Sequence, residues 1–291
     1  MTADAGVQVT ELGAEDHACL TFGESEELFD LTAAFVRDGL DAGLKVVWVS
    51  EAGPGLAAGE LERRGVAVEA AMAQGQMTAA GCEGRLLSGQ EFRADAAVGW
   101  LAGELASSSR QGFPGLRVAL DMSWALRPVA GIEELPEFEQ GIATALEGST
   151  AAVLCQYDRE RFDPVTLASV AGFHTRAVAA ATYYADALLR ICRQYAPPGI
   201  RIAGELDFQA AEPLGLALAE AIRLGGDIAI NMSALAFVDA RCTLMIADAA
   251  RTIASQSRQV ILRCPAEMAT GFKRIGLVDI DGIRLVADGD R

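Results

Sequence analysis

Within LFDLTAAFVRDGL (28–40), apolar side chains recur at Leu28, Leu31, Phe35, Val36 and Leu40, the spacing of one helical face. KVVWVS (45–50) follows, a continuous apolar run of strand length. The same alternation predicts a helical segment around 59–65, a strand at 85–88 and a helix across 92–107. It goes on with LRVALDM (116–122), a helix from about 132 to 147, the unbroken run AAVLCQY (151–157) and a helical stretch at 164–173. Near-continuous apolar strands between amphipathic helices predict an α/β domain whose mostly parallel sheet is covered on both faces.

Around 175–187 (TRAVAAATYYADA) the alternation pauses and alanine dominates. The boundary is expected there, between a first domain at 1–180 and a second at 187–291. In the second, 188–195 and 200–206 can pair as a hairpin across Ala-Pro-Pro-Gly. A helix at 210–224, a strand at 228–232, a helix from about 242 to 255 and a strand at 259–263 follow. A short helix at 266–275 and a last strand at 283–286 complete a small α/β fold. A chain of 291 residues is long enough for two domains, each with its own core.

Hydrophobic content of 51% with 22% charged residues is that of a globular chain. The first twenty residues lack a basic leader followed by an apolar run, and no stretch approaches the roughly 20 apolar residues of a spanning helix. A cytoplasmic protein with no membrane association is expected. The formal charge of −16 is uneven: residues 1–180 carry 12 basic against 27 acidic side chains, residues 181–291 carry 12 against 13. Acidic surface repels phosphate backbones and no basic cluster exists, so direct nucleic-acid binding is excluded and partners should be proteins or small molecules. The six cysteines (19, 82, 155, 192, 242 and 264) form no CxxC pair and read as reduced core thiols.

Two nucleotide motifs fail on inspection. A phosphate loop needs glycines, a Lys and a Ser/Thr; Gly23-Glu-Ser-Glu-Glu27 has no lysine and sets three carboxylates where phosphates would lie. The run EAGPGLAA (51–58) satisfies GxGxxA, but a plain strand-to-helix connection explains it.

Five further features belong together: Asp16-His17-Ala18-Cys19, GLDAGLKVVWV (39–49), Asp121-Met122-Ser123-Trp124, Glu139, and LCQYD (154–158) through His174. Over about residues 10–180 this set resembles the MEDS sensory domain. The resemblance implies a RecA-like parallel-sheet sensor domain lacking a P-loop, with a role in bacterial signalling and in sensing small hydrocarbon derivatives. The two histidines of the chain, His17 and His174, then join Cys19 and Cys155 as candidate ligand-binding residues. Imidazole and thiolate form a zinc-type ligand set. Against that, the His17-x-Cys19 spacing is short and Cys155 falls in a strand core, so neither metal nor cofactor is expected. For both histidines a buried hydrogen-bonded ring and a ligand contact stay open. Trp124 and Tyr157 could line an apolar cavity or serve as core aromatics.

GIRIAGELD (199–207), IAINMSALAFVD (228–239), Cys264-Pro265 and Ile275-Gly276-Leu277 resemble the STAS domain, the small α/β fold of anti-sigma factor antagonists. In that family the Asp at position 239 opens a turn whose next residue is a serine, phosphorylated by a partner kinase so that the antagonist leaves its complex. Here that residue is Ala240, followed by Arg241 and Cys242. Asp239 reads as an N-cap and Thr243 as a first-turn residue, with Ser233 on the strand side. The resemblance makes Asp207, Ser233, Asp239, Ala240, Arg241 and Thr243 the candidate partner interface.

Together these readings predict a non-enzymatic signalling protein. A small apolar ligand acts on the first domain, and the second contacts an anti-sigma factor or kinase-fold regulator without phosphorylation at Ala240; a homodimer is compatible with this. The alternative is a metal- or thiol-dependent enzyme or redox sensor using His17, Cys19 and Cys155.

Overall fold

In a computed structural model describing residues 7–288, the chain divides after Ala179 into two compact units. In the first, β1 (His17–Phe22) leads to α1 (Ser25–Asp41), β2 (Lys45–Val49), α2 (Pro54–Arg63), α3 (Val68–Ala73) and β3 (Met77–Ala80). A ribbon of β4 (Leu87–Ser88) and β5 (Glu91–Phe92) precedes α4 (Ala94–Arg110), β6 (Leu116–Asp121) and α5 (Leu135–Leu146). β7 (Ala151–Asp158), α6 (Pro164–Ala171) and β8 (Arg176–Val178) complete the unit. Six strands form one parallel sheet in the order β3-β2-β6-β7-β1-β8, the parallel-sheet α/β class expected from the sequence. β2 and β6 are buried at every position, so both faces are covered and side chains of both parities must suit a core.

Two expectations are corrected. The strand placed at 85–88 is one side of the small ribbon; the third strand of the main sheet is β3, whose MTAA is too short and small to stand out as an apolar run. The pause at 175–187 contains two short strands, β8 and the first strand of the second unit, β9 (Thr182–Ala185).

The second unit continues with β10 (Leu189–Tyr195), β11 (Pro198–Leu206), α7 (Ala211–Arg223), β12 (Ile228–Asn231) and β13 (Leu235–Val238). α8 (Ala240–Ala254), β14 (Val260–Pro265), α9 (Ala266–Arg274) and β15 (Ile283–Asp288) follow. The sheet order is β15-β14-β12-β11-β10-β9, with the expected hairpin at β10 and β11. Its core includes Ile200, Ile202, Ile230 and Leu262 from the strands and Leu214, Leu218, Ile246 and Ile253 from the helices. The unforeseen β13 pairs with the far end of β11, past an irregularity at Gly204–Glu205. Gly204 has φ +102°, and a Cβ there would strike the Leu188 carbonyl, so only glycine lets β11 change partners at that point. Among the described residues no helix is long and apolar enough to cross a membrane.

Candidate functional site

β1 and β7 lie side by side with Cys19 opposite Cys155. Strand alternation places His17 with Cys19, and Cys155 with Tyr157, on one face of the sheet. The loop after α6 is tied to β1, since the Thr175 N–H donates to the His17 carbonyl at 2.8 Å; this brings His174 beside His17. α5 supplies Glu139. His17 Nε2 lies 3.0 Å and His174 Nε2 lies 3.4 Å from the same carboxylate oxygen, Oε2. Cys155 Sγ is 3.6 Å from that oxygen and 3.5 Å from His17 Nε2. The Tyr157 hydroxyl donates to Oε1, and the imidazole centroids are 4.1 Å apart. His17, Glu139 and the His174 side chain are at most 1% exposed, and Cys155 and Tyr157 are equally buried.

A dry carboxylate is costly unless donors surround it. Burial alone would raise the Glu139 pKa; the His17 hydrogen bond, the neighbouring imidazoles and the Tyr157 hydroxyl outweigh it and hold the group below the ordinary value. Burial drives His174 down to about 4, against the pull of Glu139. Burial and the Glu139 charge push Cys19 up to about 12 and Cys155 and Tyr157 well above their usual values. Neither thiol is therefore an activated nucleophile as it stands, because a thiolate is the reactive form.

The structure thus joins His17, Cys155, Tyr157 and His174 and leaves Cys19 at the edge of the group. Trp124 belongs to the core: it is fully buried, 4.5 Å from the Phe92 ring, in a turn capped by Asp121. A cleft of about 390 Å³ touches the outer layer of the cluster. It is lined by Phe162, whose ring stands edge-on to Tyr157 at 5.1 Å, and by Val170, whose carbonyl lies 2.8 Å from His174 Nδ1. The sequence pattern alone assigns Glu139 no role at the site. The signal was there: an acid inside the stripe Leu135, Phe138, Ile142, Leu146 sits on the buried face of α5.

The missing phosphate loop has a physical replacement. The Gly23 N–H points to Glu27 Oε2 at 3.3 Å, and a Cβ on Gly23 would meet the Arg159 guanidinium, so protein charges fill the anion position. Asp121, at the end of β6, accepts from the Ser123 and Glu51 N–H groups at 3.0 and 3.1 Å and caps a turn. In the GxGxxA run, Gly53 takes φ +89° and Pro54 starts α2, an ordinary helix entry.

In the second unit, Asp239 is the N-cap of α8; its Oδ1 accepts the Cys242 N–H at 2.7 Å. Asp207 caps the neighbouring turn by accepting from the Gln209 N–H at 2.9 Å, and the Cys242 thiol donates to the Asp207 carbonyl at 3.2 Å. Burial and the Asp239 carboxylate raise Cys242 to about 12, so its place at a helix start does not activate it. Ser233 Oγ donates to Asn231 Oδ1 at 2.6 Å and Thr243 Oγ1 to the Asp239 carbonyl at 2.7 Å. Ala240 and Arg241 are exposed, and Phe208, Phe237 and Leu244 around them are at least half exposed.

The MEDS family profile (MEthanogen/methylotroph, DcmR Sensory domain) matches residues 16–175, more than half of the chain, and the STAS domain profile matches residues 195–287. No relative was found among curated proteins. Among solved structures, the chain is similar to a KaiC-like protein from Pyrococcus horikoshii OT3, at 14% identity over 66% of this chain and 79% of that one, with a TM-score of 0.46. It is also similar to the flagellar accessory protein FlaH from Methanocaldococcus jannaschii, at 9% identity over 65% and 83%, with a TM-score of 0.47.

Proposed function

The chain belongs to the MEDS sensory family and carries a STAS domain, and on that premise we propose that it is a non-enzymatic signalling protein switched by ligand occupancy instead of phosphorylation. MEDS and STAS domains are regulatory, and STAS domains generally interact with anti-sigma factors or kinases. The partner of this chain is an anti-sigma factor or kinase-fold regulator docking on the Asp207, Ser233, Asp239 to Arg241 and Thr243 surface. The exposed Phe208, Phe237 and Leu244 supply the apolar contact such an interface needs.

One observation carries this reading: the turn is fully formed around the Asp239 cap, yet the residue after the aspartate has no hydroxyl. A phosphate would add about −1.5 to −2 charge at the docking surface, and Ala240 cannot accept one. The nearest hydroxyls, Ser233 and Thr243, are held by Asn231 and by the Asp239 carbonyl. Control then falls to the first unit, where a small apolar compound in the cleft beside Phe162 and Val170 must bind one state of the protein better than another.

The test is capture of purified anti-sigma factors by the full chain. Binding of at least one, weakened tenfold or more by Phe237→Asp, is expected. Failure to bind any member of the panel overturns the reading.

A further inference from the structure

The contacts around Glu139 contain a conflict that hydrogen bonding does not resolve. His174 Nδ1 sits 2.8 Å from the Val170 carbonyl, an acceptor, so that nitrogen carries the proton. In the neutral ring Nε2 is then a lone pair. It faces Glu139 Oε2, also an acceptor, at 3.4 Å and makes no hydrogen bond. Two acceptors facing each other in a dry interior repel, and something positive between them removes the repulsion. The converging atoms include His17 Nε2 and Cys155 Sγ as well; all four donors lie within 4.8 Å of one another.

Their spacing can be compared with a coordination shell. For a tetrahedral ion with bonds of about 2.0–2.1 Å to nitrogen and oxygen and about 2.3 Å to sulfur, donors stand about 3.3–3.4 Å apart, or about 3.5–3.6 Å when one is sulfur. Of the six separations, four match: 3.0 and 3.4 Å for the two imidazole–carboxylate pairs, and 3.5 and 3.6 Å from Cys155 Sγ to His17 Nε2 and Glu139 Oε2; the two from His174 Nε2 to His17 Nε2 and to Cys155 Sγ are within 4.8 Å. The Val170 carbonyl on Nδ1 is also the outer partner that metal-bound histidines use to fix their tautomer.

We propose that His17 Nε2, His174 Nε2, Glu139 and Cys155 form a binding site for one zinc-type divalent cation. Two imidazoles, a carboxylate and a thiolate select a borderline-soft, four-coordinate ion over magnesium or calcium, which prefer all-oxygen shells. Binding moves the His17 ring proton from Nε2 to Nδ1 and releases the Cys155 thiol proton to solvent. Four protein ligands close the shell, so the ion locks β1, β7, α5 and the loop after α6 together and has no open position for catalysis. This deepens the sensor reading and rests on it, because Phe162 and Val170, which line the cleft, contact Tyr157 and His174 of the cluster.

The test is titration of the reduced, chelator-treated full chain with Co²⁺, followed by optical absorption. One equivalent per chain is expected, with a thiolate-to-cobalt charge-transfer band and d–d bands of tetrahedral intensity, displaced by Zn²⁺. Cys155→Ser should remove the charge-transfer band and His174→Ala should weaken binding at least a hundredfold, while Cys82→Ser leaves both unchanged. Binding below a tenth of an equivalent in the wild type, or a charge-transfer band surviving in Cys155→Ser, overturns the site. The wild-type stoichiometry decides the matter even if a variant fails to fold. A shared proton in place of an ion would show as that same failure to bind. Failed titration leaves the anti-sigma capture standing, and failed capture leaves the titration standing.

Discussion

Glu139 and Asp239 are both carboxylates that collect hydrogen bonds, in opposite settings. Glu139 is sealed among two imidazoles, a thiol and a phenol on the face of a parallel sheet. Asp239 sits at the surface and holds the first turn of α8 through one backbone N–H. Burying the first carboxylate is costly and needs every one of those donors around it; the second stays near water and needs only its cap geometry. The difference sets the two predictions of stability apart.

The strongest challenge to this contrast is Glu139→Ala. Removing the charge strands buried groups of His17 and Tyr157, and the first unit should lose about 3–5 kcal/mol in urea unfolding. A loss under about 1 kcal/mol would mean the cluster is not a tightly coupled unit. Asp239→Ala should cost the second unit about 1 kcal/mol, the ordinary value of an N-cap. A cost as large as that of Glu139→Ala would erase the distinction.

The pH dependence at Asp239 sharpens it further. The Cys242 N–H holds this carboxylate below its ordinary pKa. A depressed acid contributes stability above its unfolded value and loses it as pH falls through the folded value. Asp239→Asn, which caps without titrating, should therefore show a shallower loss of stability below about pH 4 than the wild type. Equal acid limbs in the two proteins would show that the cap does not titrate. The smallest effect on stability belongs to Ala240→Ser, within about 0.5 kcal/mol. Its value is chemical: with a cognate kinase-fold regulator and ATP, this variant should gain phosphate at the turn while the wild type gains none. Wild-type labelling on Ser233 or Thr243 would contradict phosphorylation-free control.

Most of the architecture was legible because the strands buried on both faces, such as KVVWV in β2, write their burial as unbroken apolar runs. β3 and β13 were not, since MTAA and LAFV are four residues long and carry no pattern of their own; pairing with β2 and β11 makes them strands. Within the site, His17, Cys155 and His174 stood out as rare residue types, whereas Glu139 is one acid among many until its place in the buried stripe of α5 is weighed. Cys19, two residues from His17 along β1, lies outside the four donors that converge, in keeping with the short spacing. The distance that matters runs between strands and cannot be read along one of them.

The measurement that tests the central contrast most directly is the Zn²⁺-induced shift in thermal unfolding of the reduced full chain, run on the wild type, Cys155→Ser and Asp239→Asn. At a hundredfold excess over Kd the wild-type midpoint should rise by about 5–10 °C. That shift should vanish in Cys155→Ser and persist in Asp239→Asn. No shift in the wild type, or one that survives Cys155→Ser, would contradict the account.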